Sequence, residues 1–503
     1  VSVIEKWSTQ KIWISDTSLY HMISFLKELI STPRWPLIQE KLEAIVRHVV
    51  LPTLNASRET VELYEDDQEE YIRRFFNIFR DSNTADMASV SFVDTLVSKK
   101  FNESIDLLLS FVNELMSARA ANRNDLEAAM NTEGAFRILL TISFKLDRKL
   151  SPVYGKVDEK LFNYVYPDLG EQTISTMPFL AARACDTIAM FNHKYNNAKI
   201  LQDIFSAIVV CFHRQDHLPI QITAIDALRT LVNEELVAEH ISHQAPQLME
   251  TLLEMSNKFE SDILTSVMEA FVEKFARNLE PYAKDLAANL AGQFIKLAGE
   301  VLEQQSGSEE QSQTISDKEN QAAGILNTIS TLVVAMNTAP QVATSIEPIV
   351  ERMIRFVLEN AMISFIPEII DILSSLVYST ENVSSVLWSL YLACIESFDL
   401  YALEYFDVFQ PFFEATINFG FTRPELTIES PQVQALISVC FKVVKADYVE
   451  PVFAHTAFEL LELTVLSLNK RFAPFLDRFL PEIFDVFKEL EAQDAFDGYM
   501  LHH

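Results

Sequence analysis

The feature that most constrains this chain is a helix pair that recurs about every 40 residues. The segments "PFLAARACDTIAMF" and "LPIQITAIDALRTLV" both have a proline at or next to their first residue and interleave small residues with large apolar ones. Pro178 and Pro219 are 41 residues apart, and between them lies an amphipathic stretch with Ile200, Ile204 and Ile208 on one face. The spacing predicts a repeating unit of helix, turn and helix.

Comparable apolar stripes follow at helical spacing over 248–275, 282–336, 346–377 and 458–490. One helix pair cannot bury its own apolar face, so neighbouring pairs stack into a continuous core. A period of about 40 residues is typical of HEAT or armadillo repeats. We therefore predict an all-α protein, a right-handed HEAT-repeat solenoid (an α-α superhelix). Residues 1–503 would form a single continuous array of about 10 to 12 pairs, and the alternative is two or three separate helical bundles.

Glycine and cysteine usage agrees with this interpretation. The chain has nine glycines in 503 residues, which disfavours Gly-rich phosphate loops, tight hairpins and nucleophile elbows. The four cysteines lie far apart in apolar helical patterns, which predicts buried thiols rather than a disulfide or a zinc site. They are Cys185, Cys211, Cys394 and Cys440. Several prolines stand where a helix could begin, namely Pro219, Pro246, Pro281 and Pro481.

The charge balance restricts the possible partners. The chain carries 71 acidic residues against 40 Lys and Arg, a formal net charge of −31. Like charge repels nucleic acids and anionic membranes, so we predict no direct nucleic-acid contact. The longest apolar runs, over 204–212 and 325–336, are shorter than the roughly 20 residues that cross a bilayer, so we also predict no membrane insertion. The chain begins at Val1 without a methionine, and we expect it to be a fragment of a longer protein.

Histidine pairs are the best candidates for a chemical site, and they are weak ones. His213/His217 and His240/His243 have spacings that can bring ligands together on a helix, but neither pair has a third ligand nearby. No Walker loop, dinucleotide fingerprint, nucleophile motif or Cys-x-x-Cys occurs. We therefore predict that the chain is not an enzyme and has no catalytic residue, metal site or cofactor.

Two acidic segments are the remaining candidates for a functional surface. "LYEDDQEEYIRRFF" lies just before or in the first turn of a helix carrying Ile72, Phe75, Phe76 and Phe79, where carboxylates complement the helix dipole. "EQQSGSEEQSQTISDKEN" has no apolar periodicity and predicts a flexible acidic loop over 304–321, inserted between repeats. The candidate contacts to a basic partner are Glu65, Asp66, Asp67, Glu69, Glu70, Glu309, Glu310, Asp317 and Glu319.

The first segment also carries a resemblance. "VELYEDDQEEYIRR" resembles the Glu-Asp-Asp/Pro-x-Glu-Tyr-Ile-Arg signature of the importin-β superfamily of nuclear transport receptors, through Tyr71, Ile72 and Arg73. Gln68 stands where that signature commonly has proline. The signature is shared with the exportin that recycles importin-α. The segments "FLAARACDTIAMF", "AAGILNTISTLV" and "FDLYALEYFDVFQPFFEATINFG" are similar to the importin-7/importin-8 branch. The resemblance runs from about 51 to 468, to the central and C-terminal part of a fungal receptor.

The resemblance implies a carrier that shuttles between cytoplasm and nucleus and passes the nuclear envelope at pores. Such receptors take basic cargo such as ribosomal proteins, histones or RNA-binding proteins, bind phenylalanine-glycine nucleoporins, and release cargo when Ran-GTP binds. The resemblance places the main Ran-GTP contact in N-terminal repeats that this chain lacks. The alternatives are an exportin of the importin-α-recycling type and a HEAT-repeat scaffold of a multiprotein complex.

Overall fold

Every regular element in the described part of the chain is a helix. A computed structural model describes residues 6–7, 11–76, 83–146, 151–191, 195–259, 261–304, 309–445 and 451–492. Over those residues the predicted all-α class is confirmed, and no strand occurs. The chain divides into two compact units: unit 1 comprises 1–244 and 261–267, and unit 2 comprises 245–260 and 268–503. A single continuous array over both units stays a prediction.

Within the described residues, unit 1 contains fifteen helices. In chain order they are α1 (Asp16–Ile30), α2 (Trp35–Gln39), α3 (Leu42–Ile45), α4 (Leu51–Leu54), α5 (Arg58–Asp66), α6 (Gln68–Phe75), α7 (Ala85–Lys99), α8 (Phe101–Ala121), α9 (Leu126–Leu146), α10 (Val157–Tyr164), α11 (Glu171–Thr176), α12 (Pro178–Met190), α13 (Ala198–Phe212), α14 (Leu218–Leu231) and α15 (Glu235–Ser242). A π-helical turn, Val46–Val50, joins α3 to α4. Helices α9, α12 and α14 pack side by side, and α8 and α13 pack against this row.

Unit 2 continues with helix pairs, and α17 begins in unit 1. The helices are α16 (Ala245–Lys258), α17 (Asp262–Leu279), α18 (Ala283–Gln304), α19 (Glu309–Ala335), α20 (Pro340–Glu359), α21 (Ile366–Thr380), α22 (Ser385–Ser397), α23 (Gln410–Thr416), α24 (Pro431–Val444), α25 (Pro451–Leu468) and α26 (Leu476–Ala492). Helices α18, α20, α22 and α24 pack in one row, and α19, α21, α23 and α25 pack in a second row. This two-row arrangement is how stacked helix pairs bury a shared core.

Proline begins several helices, as predicted, but not all of those proposed. Pro219 and Pro246 are the second residues of α14 and α16, where the missing N–H costs nothing. Pro281 lies in a 3₁₀ turn before α18. Pro481 lies inside α26, which begins at Leu476, so that prediction was wrong. The sequence signal failed there because residues 476–480 already form the first turn of α26 ahead of the proline.

The predicted loop over 304–321 is wrong from residue 309 onward. Residues 309–321 form the first part of α19, and residues 305–308 lie outside the described residues. Our prediction relied on apolar periodicity, which does not report helix propensity. Glu, Gln and Lys are good helix formers, and two glutamates begin α19, where acidic residues favour a helix N-terminus.

The apolar interior contains the four cysteines, which are free and buried as predicted. The segment Ile363–Thr380 is long and apolar enough to pass a length and composition test for a membrane span, but 56% of it is buried inside the protein. Helix α21, which makes up most of that segment, packs against α19, α20 and α23. Its apolar character is therefore that of a core helix.

Candidate partner-binding surface

The signature segment folds as two short helices, α5 and α6, which we call the signature helices. Ser57 caps α5 through a capping box with Thr60. Asp67 breaks the helix with an extended backbone and caps α6, because its side chain accepts a hydrogen bond from the Glu70 backbone N–H at 2.9 Å. The sequence Glu-Asp-Asp-Gln-Glu-Glu is therefore a helix end, a cap and a new helix start.

The carboxylates of this turn are all exposed. They belong to Glu65, Asp66, Asp67, Glu69 and Glu70. Two of them face Arg73, which lies 3.5 Å from Glu69 and 4.0 Å from Glu70. Exposed pairs of this kind stabilise a protein only slightly, so these oxygens stay accessible to an external cation.

The helix dipole explains only part of this acidic turn. Asp67, Glu69 and Glu70 lie at the N-terminus of α6, where negative charge is favourable. Glu65 and Asp66 lie in the last turn of α5, which has no basic residue and where negative charge is unfavourable. Two of the five carboxylates thus oppose local stability, so helix capping alone does not account for them. Phe79, which we placed on the same helix, lies outside the described residues, and α6 ends at Phe75.

Two buried tyrosines anchor the signature helices. Tyr64 and Tyr71 are buried and pack edge to face, with ring centroids 4.9 Å apart. The Tyr64 hydroxyl lies 3.3 Å from Nδ1 of His217. Burial raises the pKa of the Tyr64 hydroxyl and of the Tyr71 hydroxyl, so both stay protonated. In the Tyr-Ile-Arg part of the signature, Tyr71 and Ile72 are buried and act as internal anchors, whereas Arg73 is exposed.

Gln68 joins the signature helices to the start of α14. Its Nε2 donates to the backbone oxygen of Asp216 at 3.3 Å, and its Oε1 accepts from the backbone N–H of Leu218 at 2.7 Å. Leu218 is the first residue of α14, and the residue before it provides no side-chain cap. The first N–H groups of a helix need external acceptors. Gln68 therefore caps α14 from a distant part of the chain, which proline at this position could not do.

A row of arginines that we did not predict runs through unit 1, with Arg137 and Arg183 buried and Arg229 partly exposed. Arg137, Arg183 and Arg229 occupy α9, α12 and α14 and recur every 46 residues. Arg183 contacts Glu133 and Asp186 at 2.7 Å each, and Arg229 contacts Asp226 at 2.7 Å. The Arg137 guanidinium pairs with Asp86, and Arg183 lies 4.4 Å from the Phe76 ring centroid.

The 46-residue recurrence of arginine was the signal that could have found this row. Buried charges are tolerated only when they are paired. The Arg183–Glu133 pair joins α12 to α9 and the Arg137–Asp86 pair joins α9 to α7, so these two ion pairs help to align the helices of unit 1.

The second acidic group lies in unit 2, on α19. The side chains of Glu309, Glu310 and Asp317 lie outside the described residues, so only their helical backbone positions are known. Glu319 is half-buried and accepts a hydrogen bond from Ser364 Oγ at 3.3 Å. The structure places the two acidic groups in different units, and joint action of the two groups stays a prediction.

The histidine pairs do not form a recognisable ligand set. The His217 ring lies beside Tyr64 and Asp216, and His240 packs edge to face on Phe205. Within the described residues, no group of three or more His, Cys, Asp or Glu side chains is placed to hold a metal ion.

Proteins with a similar sequence or fold are known. The family model described as Cse1 matches residues 5–218. The chain is 27% identical over 398 residues to the Nonsense-mediated mRNA decay protein 5 of Saccharomyces cerevisiae, covering 77% of this chain and 38% of that protein. It is 26% identical over 470 residues to importin-8 of Danio rerio, covering 92% of this chain and 43% of that protein.

The chain is also similar to proteins named probable importin-7 homolog, from Dictyostelium discoideum, and importin beta-like SAD2 homolog, from Arabidopsis thaliana, at 21% and 23% identity. A solved structure of the exportin Cse1 in its cargo-free, cytoplasmic state superposes with a TM-score of 0.66 at 14% identity, over 96% of this chain and 49% of that one. This likeness confirms the HEAT-repeat solenoid fold. The chain spans about two fifths of the length of the importin-8 relative. The predicted resemblance to the importin-7/importin-8 branch is confirmed by the relatives named importin-8 and importin-7 homolog.

Proposed function

We propose that this chain is part of a nuclear import receptor that carries basic proteins through nuclear pores and releases them when Ran-GTP binds. The observation that carries the proposal is the similarity to importin-8 over 92% of the chain. The net charge of −31 supports a basic cargo, because opposite charge speeds and selects association. The receptor would shuttle between cytoplasm and nucleus.

Within this proposal, cargo contacts come from two groups of carboxylates. On the signature helices these are the exposed Glu65, Asp66, Asp67, Glu69 and Glu70, and on α19 they are Glu309, Glu310, Asp317 and the half-buried Glu319. Tyr71 and Ile72 hold the signature helices on unit 1, and Gln68 fixes them to α14. In this proposal the buried side chains position the signature helices, and the carboxylates bind the cargo.

An apolar pocket in unit 1 suits the proposed phenylalanine-glycine nucleoporins. It has a volume of about 330 Å³ and lies among α8, α9 and α10, with Leu109, Val112, Leu161 and Val165 in its wall. An aromatic ring inserted there would bury its apolar surface between helices. Replacing Leu161 by Asp should weaken binding of a phenylalanine-glycine peptide and leave a serine-glycine peptide unaffected.

The second candidate is an exportin, in which Ran-GTP strengthens cargo binding. It is favoured by the Cse1 family match over 5–218 and by the likeness to the Cse1 exportin structure. A pull-down with the full-length receptor from nuclear and cytosolic extract, in the presence of Ran-GTP or Ran-GDP, separates the two. Release of basic proteins by Ran-GTP supports an importin, recruitment supports an exportin, and no effect of Ran-GTP points to a scaffold.

A further inference from the structure

The solvent side of the second helix row in unit 2 carries a line of exposed apolar side chains. Val334 on α19 and Tyr378 on α21 are each 51% exposed, and Leu466 on α25 is 64% exposed. Between them, the half-buried Phe419 lies in the π-helical turn Ile417–Phe421 that continues α23, and its ring centroid is 5.6 Å from that of Tyr378. These four side chains, which we call the apolar row, come from four consecutive helix pairs.

Backbone contacts align the ends of these helices. Ser379 Oγ donates to the backbone oxygen of Val333 at 3.2 Å, which places the end of α21 beside the end of α19. Arg471 donates to the backbone oxygen of Phe421 at 2.9 Å, which places the end of α25 beside the end of the turn that follows α23. The side chains of the apolar row therefore lie at a similar height along neighbouring helices, so the row runs across the helix axes.

A parallel acidic row lies about two helical turns away. Asp371 precedes Tyr378 by seven residues, and Glu459 precedes Leu466 by seven residues, which is roughly 10.5 Å along a helix. Glu414 lies between them, and Gln410 Nε2 donates to both Glu414 (2.7 Å) and Glu459 (3.0 Å). The carboxylates of α23 and α25 therefore lie close together.

The sequence of this face lacks fixed positive charge, and His455, whose Nε2 lies 3.3 Å from Glu459, is the one titratable base in its three segments. Segments 366–380, 410–421 and 451–468 contain no lysine or arginine. Arg423 and Lys470 come just after the apolar row along the chain. The face thus runs from acidic through apolar to basic.

We propose that this face binds an amphipathic helix of a basic partner protein. The apolar edge of that helix would cover Tyr378 and Leu466, and its lysines and arginines would reach Asp371, Glu414 and Glu459. Helices pack about 8 to 10 Å apart, so the apolar row spans roughly 24 to 30 Å, the length of a helix of about 18 residues. A second copy of this chain is a poor occupant because the chain carries a net charge of −31. The inference rests on the proposed function in one respect, that the partners are basic proteins.

The test measures binding of two labelled 18-residue peptides to the chain 1–503 by fluorescence anisotropy. One peptide has leucines on one helix edge and lysines on the adjacent edge, and the other is a scramble of the same composition. The apolar variant is Tyr378→Ser with Leu466→Ser, and its control is Val210→Ser with Tyr282→Ser, which are similarly exposed elsewhere. The charge variant is Asp371→Asn, Glu414→Gln and Glu459→Gln, and its control is Glu359→Gln, Glu396→Gln and Glu404→Gln, all exposed. Circular dichroism melts check that every variant folds.

We expect the amphipathic peptide to bind more tightly than its scramble. The apolar variant should lose roughly tenfold in affinity with an unchanged salt dependence, because it loses buried apolar area. The charge variant should lose about threefold to tenfold and show a flatter salt dependence. Both control variants should bind like the parent chain.

Equal binding of the two peptides, or an apolar variant that binds like its control, would overturn the inference. A concentration-dependent dimer that only the apolar variant abolishes would assign the face to a second copy and would also overturn it. If a core histone binds the parent chain and every variant equally, the proposed function stands and only this face is wrong. If neither the histone nor the peptide binds, the proposed function itself fails.

Discussion

The two tyrosines that anchor the signature helices differ in the hydrogen bonding of their hydroxyl groups. Tyr64 has a hydrogen-bond partner in His217, whereas the buried hydroxyl of Tyr71 has none within the described part of the chain. A buried polar group without a partner costs stability, and one with a partner contributes modestly. The residue that belongs to the family signature is thus the one with the less favourable hydroxyl.

Removing each hydroxyl should therefore have opposite effects on stability. We expect Tyr71→Phe to leave the free energy of unfolding unchanged or to raise it, and Tyr64→Phe to lower it by about 1 kcal/mol. Urea unfolding followed by circular dichroism measures both. A loss of several kcal/mol in Tyr71→Phe would mean that its hydroxyl has a partner outside the described residues.

A buried carboxyl on α20 should make stability depend on pH. Glu347 is buried, and burial raises its pKa while a hydrogen bond from Ser384 opposes the shift. With a folded pKa above the unfolded one, the ionised carboxyl destabilises the folded state at neutral pH and has no such cost below the unfolded pKa. Glu347→Gln should therefore raise the melting temperature at pH 7 and leave it unchanged near pH 4. An equal gain at both pH values would show that packing, not ionisation, is responsible.

At the scale of elements, the cap at the start of α14 depends on one side chain of the signature helices. Gln68 provides the N–H acceptor that the start of α14 lacks. Gln68→Ala should lower the free energy of unfolding by about 1 kcal/mol, in line with the loss of a helix cap. Gln68→Pro restores the residue common in the family signature and suits the first turn of α6, yet it should lose the same cap. Thermal melts of both variants decide this, and a Gln68→Pro chain more stable than the parent would contradict the capping role.

The second acidic group can be tested without disturbing the helix that carries it. Because residues 309–321 are helical, the right change is neutralisation rather than replacement by a flexible linker. We expect Glu309→Gln, Glu310→Gln, Asp317→Asn and Glu319→Gln together to weaken histone binding by at most a few kcal/mol, since each exposed pair contributes about 0.2 to 1 kcal/mol. The salt dependence should also become flatter. Unchanged affinity and salt dependence would remove α19 from the cargo surface.

The sequence predicted helices well where packing decides them. The apolar stripe over 200–211 gave α13, and the proline-led segments gave α12 and α14 almost to the residue. The sequence-based prediction was wrong over 309–321, where the residues form a helix because of their helix propensity and without an apolar stripe. It also missed Gln68 and Arg183, because their partners are distant in sequence and periodicity carries no information about cross-chain contacts. The exposed carboxylates and their position at the start of a helix were predictable, but the preceding short helix that ends at Asp66 was not.

At the scale of the whole molecule, the repeated helix pairs form the fold and the net negative charge determines which partners suit it. The stacked helix pairs bury the apolar residues and leave 71 acidic residues against 40 basic ones, many of them on exposed helix faces. Such a surface selects partners by charge first and by local apolar contacts second. Under the proposed function, this negative charge serves to bind basic cargo proteins.

The most direct test of that claim is the dissociation constant of residues 1–503 for a core histone, measured at about 50 and 200 mM salt, with an acidic protein of similar size as the control. Screening shortens the reach of exposed charges over this range. We predict saturable histone binding that weakens at least severalfold at the higher salt, and no binding of the acidic protein. Absence of histone binding at both salt concentrations, or equal binding of the acidic protein, would contradict the account.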